Sequence, residues 1–189
     1  MKIFMNNTRD LALCRELKAD ELRVWAGILS TIHMDMGLPP RGLISTRCEV
    51  RTSTVTKSIK TLTQNGFIMD TDPSINPKYV SLEDKGYGSV PFRQEFLKDF
   101  SRNRTLHADG LRLFYYLLGD IRLDSKVYDT SITSIAKIIG SDRANTSRRM
   151  SQLREEGFIT SHISGRRQPP FGRKYIIISP FVLGLVKRS

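Results

Sequence analysis

Asp142–Ile159 reads DRANTSRRMSQLREEGFI, and its spacing predicts an amphipathic helix that turns into a strand. Thr146, Met150 and Leu153 fall at i, i+4 and i+7 and share one helical face. At 100° per residue the opposite side collects Ala144, Asn145, Arg148, Ser151 and Gln152, with Arg143 and Arg149 on the flanks. So narrow an apolar stripe suits a buried core helix poorly. Amide and guanidinium groups at this spacing suit a helix laid in a DNA groove, where Asn, Gln and Arg reach base edges and flanking arginines meet phosphates. Glu155-Glu156-Gly157 closes the helix, the glycine being free to take the left-handed C-terminal conformation. A solvated basic helix with no ligand has the same composition, so the surrounding chain decides between the two.

That chain is a repeat. Leu17–Asp35 (LKADELRVWAGILSTIHMD) and Leu106–Asp124 (LHADGLRLFYYLLGDIRLD) agree at 8 of 19 positions at an offset of 89. Gly66-Phe67-Ile68 matches Gly157-Phe158-Ile159 at an offset of 91, and Lys78-Tyr79-Val80 matches Lys174-Tyr175-Ile176 at 96. One module of about 75 residues, used twice, is the simplest reading. The expected division is a first domain over 1–85, a linker over 86–91 marked by Gly86, Gly88 and Pro91, and a second domain over 92–189.

Within each copy the pattern repeats. Leu22, Trp25, Leu29 and Ile32 form a core-facing stripe behind an expected N-cap at Asp20; Leu111, Phe114, Leu118 and Ile121 are their counterparts. Short helices over Ile44–Glu49 and Ser134–Ile139 follow, then the turns Val50-Arg51-Thr52 and Gly140-Ser141-Asp142, then the long helix Ser53–Asn65 in the first copy and, in the second, the one closed by Glu155-Glu156-Gly157. A short helix, a turn and a longer polar-faced helix make a helix-turn-helix. The first copy presents Ser53, Thr54, Lys57, Lys60 and Thr61 where the second presents Asn and Arg, a face fitted to phosphates more than to bases. Strand–loop–strand patterns come next, Phe67–Met69 to Tyr79–Leu82 and Phe158–Ile163 to Tyr175–Ser179. The second loop carries Arg166, Arg167, Arg173 and Lys174 with no acid, as expected of a segment that grips a minor groove or its phosphates. Phe92, Phe96 and Phe100 give a further apolar helical face, expected against the second module or between the two.

Charge points the same way. The chain of 189 residues has a formal net charge of +11. Residues 1–90 hold 12 Lys+Arg against 10 Asp+Glu, net +2, and residues 91–189 hold 18 against 9, net +9. A polyanionic partner is implied, met chiefly by the second module. Cys14 and Cys48, far from the three histidines, imply free thiols in a reducing compartment and no metal site. No apolar run reaches the roughly 18–20 residues of a membrane span, and MKIFMNNTRD has no secretion-signal core, so a cytoplasmic protein is expected.

The order helix, short strand, helix-turn-helix and β-hairpin with a basic loop, clearest over Ile135–Ile159, resembles the winged-helix superfamily. Two such modules in one chain resemble plasmid and phage replication initiators. The resemblance implies an α+β, mainly α fold of two winged-helix domains in tandem, each a helix-turn-helix plus β-hairpin wing. It implies a non-enzymatic, sequence-specific binder of double-stranded DNA serving replication or maintenance. The alternatives are a transcriptional repressor of a mobile element, or an adaptor that docks protein through the nearly neutral first module. A homodimer or a replication or transcription partner would then use that first domain. No cofactor is expected: the chain lacks a phosphate-binding G-x-x-x-x-G-K-[ST] loop and metal-spaced ligands, and Tyr115-Tyr116 sits in an apolar helix.

Overall fold

The computed structural model describes residues 3–6, 8–31, 37–69, 80–81, 89–92, 94–120, 127–128, 131–164 and 173–178. In the first half β1 (Ile3–Asn6) leads to α1 (Thr8–Leu13), α2 (Ala19–Leu29), α3 (Arg41–Cys48), α4 (Thr52–Gln64) and β2 (Val80–Ser81). Next come β3 (Ser89–Phe92), α5 (Gln94–Arg102), α6 (Ala108–Asp120), β4 (Val127–Tyr128), α7 (Ile132–Ile139), α8 (Arg143–Glu155), β5 (Ile159–Ser164) and β6 (Arg173–Ile178).

Tandem winged-helix domains are not what this chain forms. The described molecule is mainly helical, and among the described residues α4 is not followed by a β-hairpin. Strand β2 pairs instead with the N-terminal β1, whose other edge takes β3 in the register Ile3↔Phe92 to Asn6↔Ser89. The expected linker is thus partly a strand, and Phe92 ends β3 rather than opening a helix. In the second half the strand order is β4-β6-β5. The loop taken as its wing lies outside the described residues at Arg166 and Arg167, and Arg173 and Lys174 open β6. The physical reason for the correction is that local alternation marks a strand but does not choose its partner. The short apolar run Ile3-Phe4-Met5, more than 70 residues earlier in the chain, won the pairing, Phe4 with Ser81 and Met5 with Val80.

One apolar core runs through both halves. Helix α1 packs on α6, and α5 packs on α2, so each half's leading helix covers the main helix of the other. This explains why α2 is buried from Glu21 to Leu29 rather than along one stripe. Its Leu22, Trp25 and Leu29 are in the core as their spacing predicts, while Ile32 lies outside the described residues. Phe96 and Phe100 pack with Phe114 and Phe158 at ring separations of 5.1–5.9 Å, each such pair adding about 0.5–1.5 kcal/mol beyond its buried area. Tyr115, edge-on to Phe100, donates its hydroxyl to the Leu22 carbonyl at 3.0 Å across the junction. Burial holds that phenol well above its usual pKa, with Cys48 adding to the effect.

Several polar groups along this union find partners across it or beside it, although Arg112 Nε is buried without one. Glu21 accepts the Lys18 amide at 2.8 Å and the Ser58 hydroxyl at 3.3 Å, so the cap of α2 is Lys18 with Glu21 reaching back, not Asp20. Arg23 donates to the Asn103 and Leu106 carbonyls at 2.9 and 2.7 Å. Its guanidinium pKa is lowered by burial and by nearby Arg104, against the pull of Asp20. Arg112 donates to the carbonyls of Arg15 (2.9 Å) and Leu17. Arg15 donates to the Ile139 carbonyl at the end of α7, and Arg104 to the Cys48 carbonyl at the end of α3 at 2.6 Å. Burying a carbonyl or a guanidinium without such a bond would cost about 1–3 kcal/mol each.

Candidate nucleic acid interface

The two helix-turn-helix units superimpose in sequence to the residue. Helices α3 and α4 (41–48, 52–64) and α7 and α8 (132–139, 143–155) stand at a constant offset of 91. Each turn has its first residue in the left-handed region, Glu49 at φ 54° and Gly140 at φ 61°. Each then donates an amide back to the short helix, Val50 to Ser45 at 3.2 Å and Ser141 to Ala136 at 2.9 Å. Gly66 and Gly157, at φ 75° and 76°, end the long helices, and Phe67 and Phe158 donate to the carbonyls of Leu62 and Leu153, both at 2.9 Å.

Helix α8 is seated by the stripe its sequence announced: Thr146, Met150 and Leu153 are all buried. Its start is capped by Asp142, whose Oδ1 accepts the Asn145 amide at 2.7 Å. Away from the core, Arg143, Ala144 and Arg148 are exposed and Asn145 is half-buried. Arg148 donates to Asn145 Oδ1 at 2.9 Å, while Asn145 Nδ2 donates to the Ser141 hydroxyl at 3.3 Å. The chain Ser141–Asn145–Arg148 therefore orients an amide and a guanidinium side by side on the solvent face.

Arg149 and Gln152 stand differently from what their helical positions suggested. Gln152 donates to the Thr105 carbonyl at 2.6 Å and accepts from Arg149 at 3.1 Å. Arg149 lies beside Gly110, and its Nε is buried without a hydrogen-bond partner. Both residues are half-buried and tie α8 to the loop before α6. His107, Arg148, Ser151 and Glu155 line a shallow open groove with them, and His107 is a residue the sequence reading passed over. Glu156, beyond the helix, accepts from Asn103 at 3.0 Å and Thr105 at 2.6 Å, which keeps its carboxylate turned to the protein body.

Helix α4 is seated by Val55, Ser58, Ile59 and Leu62. Ser53, Lys57 and Lys60 are exposed, with Thr54 and Thr61 half-buried, so these five share the outer face expected of them. The Thr61 hydroxyl is occupied by the Lys57 carbonyl at 3.2 Å, and Thr56 likewise bonds Thr52 at 3.0 Å. That leaves the lysines as the chief outward groups. Neither α4 nor α8 has an acidic residue in its first turn.

Among the described residues no group of three or more His, Cys, Asp or Glu side chains gathers, and no helix is long and apolar enough to cross a membrane. Compared with protein-family models, curated proteins and solved structures, the chain gives no significant match to any.

Proposed function

We propose that this protein binds double-stranded DNA in a sequence-dependent way, with α8 in the major groove. Asn145 and Arg148 read base edges. Arg143, and Arg149 through its outer nitrogens, hold phosphates. The observation that carries this is the oriented Asn145–Arg148 pair on a face whose opposite side is the buried Thr146–Met150–Leu153 stripe. Cations at a helix start oppose the macrodipole, which favours anions there by about 0.3–1 kcal/mol. Arg143, Arg148 and Arg149 in the first two turns of α8 thus give up a little stability and leave a strongly positive helix end. An anionic partner recovers that cost.

Lys57 and Lys60 of α4 add phosphate contacts, and so do the basic residues Arg166, Arg167, Arg173 and Lys174 beyond α8. The second half, with +9 of the net +11, supplies most of the affinity. Two such helices already joined in one chain favour a factor acting at the origin or maintenance locus of a mobile element. A repressor ordinarily obtains its two readers by dimerising.

The test is the affinity of the full chain for a selected duplex and for random duplex, measured across salt concentration. A linear fall of log affinity with log salt is expected, and the Arg148→Ala variant should lose preference for the selected site. Salt-independent or undetectable binding to both duplexes would sink the reading.

A further inference from the structure

The contacts that join the halves are reciprocal. Arg15 reaches the carbonyl of Ile139; Arg104, which stands 89 residues on, reaches that of Cys48, which stands 91 residues before Ile139. Arg112 reaches Leu17, and Arg23 reaches Leu106, its counterpart. Arg23 and Arg112 each keep an aspartate three residues before them at 3.7 Å. Helix α1 lies on α6 as α5 lies on α2. When group i of one unit meets j of the other, and i of the other meets j of the first, the interface is isologous and its operator is a two-fold rotation. The chain is built as a dimer of its own halves.

We propose that one chain reads a bipartite duplex site whose two half-sites are inverted relative to each other, unequal in sequence, and held at one fixed spacing. This rests on the DNA-binding reading above. A two-fold axis that carries α8 onto α4 presents equivalent helix positions to opposite strands, so the half-sites run in opposite senses. They are unequal because Asn145 and Arg148 of α8 stand where α4 has Thr54 and Lys57: one half-site is read by bases, the other is held largely through its backbone. The spacing is fixed by the arginines. Each clamps the last carbonyl of the short helix in the opposite half, one residue before the turn that aims the reading helix.

The experiment is selection of the full chain's site from random duplex, followed by hydroxyl-radical footprinting and stoichiometry. One chain per site and two protected segments with inverted geometry are expected. Inserting about half a helical turn, ~5 base pairs, between the segments should lower affinity about 10-fold or more. Lys57→Ala with Lys60→Ala should clear protection from one segment alone. Arg15→Ala with Arg104→Ala should soften the penalty of the insertion; the DNA insertion itself asks the question without any variant. A single protected segment, direct rather than inverted half-sites, two chains per site, or indifference to the insertion would each overturn the inference while leaving salt-dependent binding through α8 in place. Absence of salt-dependent binding altogether would instead remove the reading on which it rests.

Discussion

At the scale of the residue, Arg148 and Cys48 make opposite cases. Arg148 is exposed and oriented by Asn145, so its loss leaves the core untouched. Arg148→Ala should weaken binding to the selected duplex by about 1–3 kcal/mol and relax preference at one position, with an unchanged melting temperature. Equal weakening on selected and random DNA would show that the side chain holds a phosphate. Cys48 is buried in the junction, its thiol 3.6 Å from the Arg23 carbonyl. Burial raises its pKa from 9.0 to about 11, although Ser101, Arg104 and Arg102 draw it down. A raised thiol pKa favours the protonated fold: that contribution is whole below about 9 and is lost as pH climbs through 11. Native protein at neutral pH should therefore be alkylated at the half-buried Cys14 and spared at Cys48, as peptide mapping would show. Rapid labelling of Cys48 would mean that the junction opens.

At the scale of the element, the helices were legible and the strand partners were not. A 3.6-residue apolar period is a property of a dozen neighbouring residues; it placed α4 to within a residue of its observed ends, and the turn at Asp142 and the close at Glu155-Glu156-Gly157 bracket α8. Pairing of β2 with β1 joins Phe4 to Ser81 and Met5 to Val80, residues far apart in the chain, and leaves no local mark. The turns between short and long helices carry a sharper lesson. Gly140 and Glu49 occupy the same left-handed position, which costs an L-residue roughly 1–2 kcal/mol. Glu49→Gly should thus stabilise the protein by up to about 1 kcal/mol in urea unfolding, since in its ion pair with Arg102 at 3.1 Å the carboxylate is exposed and the pair worth little. Gly140→Ala should destabilise by more than the backbone term alone, because a Cβ there would run into the Arg15 guanidinium. A smaller effect at Gly140 than at Glu49 would mean that the clamp is not held in solution. Sequence held a clue to that clamp: Arg15 and Arg104 match at the repeat offset, just ahead of the segment where the similarity is strongest.

At the scale of the whole molecule, the repeat suggested two bodies, and the contacts describe one. An internal repeat is visible in sequence because residues recur; what each copy packs against is not, because a helix face looks the same whether its cover comes from its own half or the other. Helix α2 shows the consequence. Its polar Glu21 and Arg23 lie outside the Leu22–Trp25–Leu29 stripe, yet both are buried. Arg23 is satisfied by carbonyls from the second half, beside a helix, α5, that also comes from it. Cutting the chain should therefore cost more than the sum of two small domains. Phe96, Leu97 and Phe100 of α5 are fully buried, and so are Leu11 and Ala12 of α1. Burial of each large apolar side chain contributes about 1.5–3 kcal/mol, against a total stability of about 5–15 kcal/mol for an ordinary domain. Fragments 1–86 and 90–189, each keeping its leading helix but losing the main helix that it covers, should lack fixed tertiary structure by near-ultraviolet circular dichroism. The intact chain should unfold in one transition, with the fluorescence of its single tryptophan, Trp25, and far-ultraviolet ellipticity changing together. Two separated transitions, or a fragment that folds alone, would show that the halves are independent and that the reciprocal arginines only decorate their contact.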